Sequence, residues 1–474
     1  MTSLSYPDLF RLTGRGFAIT SLLARLPLAM SQMGTMLLVS SPLVAGRMGP
    51  GGAAAGAVAA AIAVGSPIVG VFTDRHGQRT ILLVQSIVAG LGLIGEAVAA
   101  LCGAAWLVIA VIGVVIGLFL PQVGTMARVR WRQVAAHHPS IRAGVLEASF
   151  AWEGAVDEAS FALGPALVGI LGVIFGPVPA LITAGVILLV FGSWFAVHPT
   201  VRLVAPHPAS TEQAQGRLLT LGTVQTTIGI LFMGLVFGTV QTGTTSLATQ
   251  AGQPGYAGLL HALLSIGSAS AGLLLPRLAR RLDMVRRWQI FALGLAVLSV
   301  PLLFVHTLGS AAIVMVILGL AAAPYMITLY SSAERVTPAS RLGTVMTLLA
   351  ATTSLGYAVG AAAAGRMTDL HGPMGGYGLT VAVGAMAFIH ALCAARPVLA
   401  RAESPVHMTC RRRIDHSRAR APLPCPAALG DDDFVDLELG RHCDVQPWGA
   451  IFVSWLLGPS LWRQTPLSGV IFVG

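Results

Sequence analysis

The 474-residue chain contains no lysine and no asparagine, and Asp, Glu and Arg together make up only 10% of it. A soluble globular domain carries about 25% charged residues. With 55% hydrophobic residues, a chain this long has too little polar surface to cover its core in water. Both an ordinary soluble enzyme and a disordered chain are excluded by composition. The absent residues have A-rich codons, and Ala, Gly, Arg and Pro are abundant, which points to a GC-rich bacterial gene rather than to a mechanism. The five cysteines form no CxxC pair, so no zinc or redox motif is indicated. No G-x-x-x-x-G-K-[ST] loop occurs, which argues against an ATP-driven pump. Residues 1–15 are polar and lack the apolar core of a cleaved signal peptide.

What is present is a series of long apolar runs. A spanning helix needs about 20 mostly apolar residues. Twelve runs qualify: 17–45, 52–73, 80–102, 104–121, 143–175, 178–198, 218–246, 255–277, 288–306, 309–330, 342–365 and 376–396. The fold class is an all-α polytopic membrane protein. With the N-terminus inside, nineteen arginines fall in inner segments and two, Arg47 and Arg366, in outer loops. This bias puts both termini in the cytoplasm, and the placement expected is a bacterial inner membrane. The net charge of +10 is thus a topology signal and gives no reason to invoke nucleic acid.

The polar stretch 199–217 divides the spans into two six-helix bundles, 1–198 and 218–397. Ile141-Arg142-Ala143-Gly144-Val145 opens the fifth run and Ser340-Arg341-Leu342-Gly343-Thr344 the eleventh, as in a parallel repeat of a secondary transporter. Residues 398–474 form an Arg- and Pro-rich, then acidic segment (Asp431-Asp432-Asp433), read as a poorly ordered cytoplasmic tail.

Between the second and third runs lies Gly70-Val71-Phe72-Thr73-Asp74-Arg75-His76-Gly77-Gln78-Arg79. Gly70 suits close helix approach, Gly77 a tight turn, and Asp74 calls for a cationic or helix N-terminal partner. The stretch resembles the signature loop of the major facilitator superfamily, through Gly70, Asp74, Arg75, Gly77 and Arg79, over about residues 10–400. Gln78 stands where a basic residue is usual. The resemblance implies two halves that rock about a central site, with Asp74 bridging them at the inner side. A topogenic charged turn is the alternative. In the fifth run, Ser160 to Gly169 resembles the Gly-Pro motif of proton-coupled drug antiporters, with Gly164 and Pro165 at a helix kink. Ser160 and Val168 replace glycines, and the arginine expected within the fourth run is missing from 104–121. Arg128 lies at its cytoplasmic end.

Ionisable residues inside a bilayer are costly and are functional candidates. The fifth run carries Glu147, Glu153, Asp157 and Glu158 within an arc of about 140°. Arg25 in the first run lies about 12 Å from the inner edge and Glu153 about 15 Å, so Arg25 can pair with Glu153 or Asp157. Arg25, Glu153, Asp157 and Glu158 are the candidate proton or substrate site; a structural ion-pair cluster is the alternative. Gln32, Gln122, Gln225 and Tyr325 are candidates for the cavity wall, through the resemblance, or for helix–helix hydrogen bonds. Glu96 is expected near the outer edge, snorkelling or paired locally.

The sequence therefore points to a secondary active transporter of small organic molecules. Proton-coupled export is the first expectation and proton-coupled uptake of a sugar or other nutrient the second. A non-transporting receptor or assembly partner is a third, of another class. The proton is the coupling ion, no other cofactor is called for, and the expected partners are the substrate and the lipid bilayer, with the chain a monomer.

Overall fold

The computed structural model describes residues 6–204, 220–278, 282–337 and 341–402, without the side chains of 15, 74, 276–278 and 399–402. Most of the 199–217 linker and nearly all of the 398–474 tail lie outside the described residues. The described residues are all helix, turn and loop. Twelve helices are long and apolar enough to cross a membrane: Gly16–Ser40, Met48–Thr73, Gln78–Leu101, Trp106–Ala136, Pro139–Phe175, Pro177–Val197, Leu221–Gln250, Tyr256–Leu275, Met284–Phe304, Leu308–Val336, Leu342–His371 and Pro373–Val398. They are called spans 1 to 12 in chain order. The end at which span 1 begins is the proximal end and the other the distal end.

Helices are dictated here by solvent. In hydrocarbon every backbone N–H and C=O must be satisfied within its own segment. The outward side chains are apolar: Phe175 is 66% exposed, Ile313 65% and Phe304 73%. Such residues would be misplaced in water and are at home against lipid chains.

Two boundaries differ informatively from those read in the sequence. Span 1 stops at Ser40, because residues 41–46 form a turn closed by the Gly46 N–H to the Ser41 carbonyl at 2.9 Å. Span 4 does not stop at 121 but continues to Ala136. Its helix breaks at Leu120, which is extended (φ −71°, ψ 119°), and resumes at Val123. The cause is Pro121, which lacks an N–H and pushes the residue before it out of the helical region. The resumed half-helix Val123–Ala136 carries Arg128, Arg130 and Arg132, and this charge hid it from a hydropathy reading. A short amphipathic helix, Tyr6–Thr13, precedes span 1; Leu9 is buried and Phe10 meets Trp152 edge-on at 4.8 Å between ring centroids.

The packing repeats. Span 1 packs against spans 2, 5 and 6, and span 7 against spans 8, 11 and 12. Span 2 meets span 4 as span 8 meets span 10, and span 3 meets span 6 as span 9 meets span 12. Two equivalent pairings cross between the sets, span 2 with span 11 and span 5 with span 8. The crossing contacts lie from mid-span to the distal end. There the Met48 N–H donates to Asp369 Oδ1 at 2.8 Å, and Met36, Met48, Ala55 and Ala59 pack with Tyr357, Ala358 and Ala361. A Cβ on Gly52 would lie 2.2 Å from the Ala361 carbonyl oxygen, so these two backbones touch only because Gly52 has no side chain. At the proximal end Gly70 and Gly343 have no atom of the described residues within 4 Å of such a Cβ.

This contrast gives a prediction. Gly52→Ala must push spans 2 and 11 apart and should cost about 1–3 kcal/mol, read as a lower unfolding temperature in detergent. Gly70→Ala meets nothing and should leave that temperature unchanged.

Candidate functional site

The local sequence of span 5 builds one side of the site. Glu153 and Asp157 are one helical turn apart and share a face toward spans 1 and 4. Gly164 lets span 1 approach, since a Cβ there would lie 2.7 Å from the Ala29 Cβ. The helix runs unbroken through Pro165, whose carbonyl lies against Gly258 of span 8. The Gly-Pro pair thus seats span 5 between spans 1 and 8.

Glu153 is fully buried, and Arg25 is only 4% exposed. Arg25 Nη2 donates to Glu153 Oε2, and Arg25 Nη1 donates to the Glu153 carbonyl oxygen at 3.2 Å. Trp131 Nε1 donates to the other carboxylate oxygen at 2.7 Å. Glu153 is therefore held at both oxygens. Asp157 is held differently. It is one-third exposed and lies between two guanidiniums, with Arg25 Nη1 at 3.1 Å and Arg128 Nη2 at 2.6 Å. Arg25 and Arg128 together match Glu153 and Asp157 in charge. Arg128 can take this part because it sits on the resumed half of span 4 and not in a loop; Glu147 and Glu158 stay outside this balance. Beside Asp157 lies a cavity of about 150 Å³, lined by Arg25, Arg128, Asp157, Ser160, Phe161 and residues 121–125.

Other candidates are placed elsewhere. Glu158 is partly buried and makes no hydrogen bond or ion pair with a described residue, and Glu147 is exposed. Gln122 lines the cavity, and Gln32 is half-buried on span 1. Gln225 Oε1 pairs with His390 Nε2 at 2.8 Å, and the Tyr325 hydroxyl donates to the Gly229 carbonyl at 3.1 Å. Both are contacts between helices within spans 7–12. Glu96 sits in the last turns of span 3 toward its distal end but does not snorkel: it is fully buried and accepts from Thr35 Oγ1 of span 1 at 2.7 Å. Sequence reasoning missed Arg128 and Trp131. Their i, i+3 spacing was the available signal, and it needed the helix after Pro121 to be recognised.

In the loop between spans 2 and 3, Gly77 ends one helix and begins the next with φ 82°, a value that suits glycine. Arg75 and Arg79 are exposed, while the Asp74 side chain lies outside the described residues. Among the described residues Gly70 meets no neighbouring helix within 4 Å, which differs from its sequence reading. Gln78 is buried and accepts from Arg130 Nε at 2.9 Å. Arg130 also donates to the Phe195 carbonyl at 2.8 Å and stacks 4.1 Å from the Phe195 ring centroid. A basic residue at 78 would confront this buried guanidinium, which accounts for the glutamine.

The sequence profile of the Major Facilitator Superfamily matches residues 146–361 and 226–474. The chain belongs to this superfamily. It is a multi-pass membrane transporter, not an enzyme. The nucleoside transporter NupG superposes with a TM-score of 0.59 at 15% identity, covering 81% of this chain and 98% of that one. A bacterial homologue of the iron transporter ferroportin, in an inward-facing state, gives 0.61 at 14%, covering 81% and 99%. A POT family transporter in complex with 5-aminolevulinic acid gives 0.60 at 12%, covering 80% and 94%. At these identities the likeness is one of fold. Comparison with curated proteins gives no match.

Two predictions follow from the geometry. Removing one member of a buried pair costs about 3–5 kcal/mol. Arg25→Met and Glu153→Met should each destabilise the chain by that order in micelle unfolding, and the double variant by much less than both together. Strict additivity would contradict the pairing. The second concerns His198, just beyond span 6, where burial first and the Arg130 charge second push its pKa below the usual value. The folded chain then binds fewer protons than the unfolded one, so stability is lost as pH falls below about 6.5. That acid loss should be shallower in His198→Gln.

Proposed function

We propose that this transporter is proton-coupled and works by alternating access, with Asp157 as the carboxylate that gains and loses the proton. The observation that carries this is the unequal holding of the two acids. Glu153 is locked by Arg25 and Trp131 and belongs to the frame. Asp157 is partly exposed, borders the cavity and is shared by two arginines, so protonation would free both guanidiniums at once. The contact pattern supports rocking: the two sets of spans meet distally, while among the described residues Gly70 and Gly343 have open space proximally. With the arginine-rich proximal end in the cytoplasm of a bacterial inner membrane, this conformation opens inward.

Direction divides two readings. Export in exchange for protons draws on the Gly164–Pro165 stretch and on the acids of span 5. Arg128, paired with Asp157, weakens that argument. Uptake together with protons is favoured by the cluster, because a protonated Asp157 leaves positive charge beside the cavity for a substrate to use. Asp74, Arg75 and Arg79 would serve as the latch at the proximal end when the halves close there.

Flux in proteoliposomes under an imposed proton gradient, over a panel of small organic acids, sugars and drugs, tests the reading. Uptake with the gradient should occur for at least one compound and fall at least tenfold in Asp157→Asn, about 1.4 kcal/mol in the transport barrier. Flux indifferent to the gradient would refute proton coupling, and gradient-driven efflux would restore export.

A further inference from the structure

We infer that the cavity binds a small organic anion, a carboxylate attached to an apolar body, which takes the place of Asp157 between Arg25 and Arg128. The inference deepens the proton-coupled reading and rests on it for coupling, but its binding chemistry stands on geometry.

Acidic span 5 suggests a cation site when read alone. The cavity wall says otherwise. Two guanidiniums, Arg25 and Arg128, face it with one carboxylate, Asp157. Glu153, fully buried and held at both oxygens, is not on the wall. Arg25 is 4% exposed, and its Nε has no hydrogen-bond partner among the described residues. The break at Pro121 adds a second feature. The half-helix Val123–Ala136 begins at the cavity, and no side chain caps its N-terminus. Its first N–H groups and the helix dipole favour negative charge at that point. Gly124 keeps the approach open, since a Cβ there would lie 2.8 Å from Asp157 Oδ1 and 3.4 Å from the Arg25 Cζ. Leu28, Ala29 and Phe161 supply an apolar side for the rest of the ligand.

Charge balance sets the order of events. With Asp157 ionised the cluster is neutral, and an incoming carboxylate would leave one negative charge too many. Once Asp157 takes a proton from the aqueous side, forming its O–H bond, the carboxylate completes the balance. Proton and monoanion therefore bind together. The other ionisable groups on the elements packed here are Glu147, Glu153 and Glu158 on its own helix, and Arg130 and Arg132 on the half-helix Val123–Ala136, Arg132 stacking on Phe150 of span 5. Span 6, beside span 5, has no ionisable side chain, and span 8 has Tyr256 and His261. The N-terminal helix, also against span 5, brings Tyr6 and the exposed Asp8–Arg11 pair.

The test is binding to purified protein in micelles by calorimetry, with benzoate, benzamide and benzylamine as probes of matched shape. Benzoate should bind and the other two should not. Arg128→Gln should abolish benzoate binding. Asp157→Asn, which removes the competing charge, should tighten it about tenfold, the scale of one charged hydrogen bond. A misfolded variant cannot gain affinity, so this arm separates site chemistry from collapse. Acidification should tighten the native protein and leave Asp157→Asn unchanged. Preference for benzylamine, weakened by Asp157→Asn, would overturn the inference in favour of a cation site. Absence of charge preference, or of any binding, would overturn it as well. The assay uses no gradient, so anion binding can fail while proton-driven flux stands, and the reverse.

Discussion

A charge carried into a bilayer must find its opposite. Arg25 enters span 1 about nine residues from its start, and the fold around it follows from that need. Span 5 supplies Glu153 and Asp157, and span 4 returns past Pro121 to supply Arg128 and Trp131. Desolvating two ions costs several kcal/mol each, and only close geometry with further hydrogen bonds recovers it. Glu153 meets that condition fully. Asp157 meets it with its charge still one-third open to water, and on that difference the proposed proton exchange rests.

The same economy explains the shape of span 4. Its arginines are carried on a second half-helix, Val123–Ala136, and not in a loop. Pro121 interrupts the span inside the membrane, where irregular backbone is tolerated only against protein or a polar cavity. Here it borders the cavity and points a helix N-terminus into it. Arg130, two residues beyond Arg128, pairs with no carboxylate among the described residues and gathers Gln78, the Phe195 carbonyl and the Phe195 ring. This joins the signature loop to the end of span 6. The half-helix thus serves both the cavity and the proximal frame.

Much of the fold was legible in the sequence because hydropathy over twenty residues is a strong signal. All twelve spans and the signature loop could be read from it. Charge pairing across helices was legible in part: depth along each helix placed Arg25 level with Glu153 and Asp157. What hydropathy hid was the resumed half of span 4, since Arg128, Arg130 and Arg132 lower its mean below that of a span. Rotation about the helix axis was equally hidden. Periodicity put Glu158 on the same broad arc as Glu153, yet it makes no hydrogen bond or ion pair with a described residue. The resemblance placed Gln225 and Tyr325 on the cavity wall, yet here they satisfy His390 and a backbone carbonyl. A polar residue in an apolar helix has a partner to find, and sequence alone does not say on which side.

The central claim is that Asp157 exchanges a proton as a ligand replaces it between two arginines. Proton uptake on ligand binding tests this most directly, followed with an indicator dye in weakly buffered micelles. The account predicts one proton taken up per benzoate bound at neutral pH, and none in Asp157→Asn. Binding with no proton uptake, or with proton release, would contradict it.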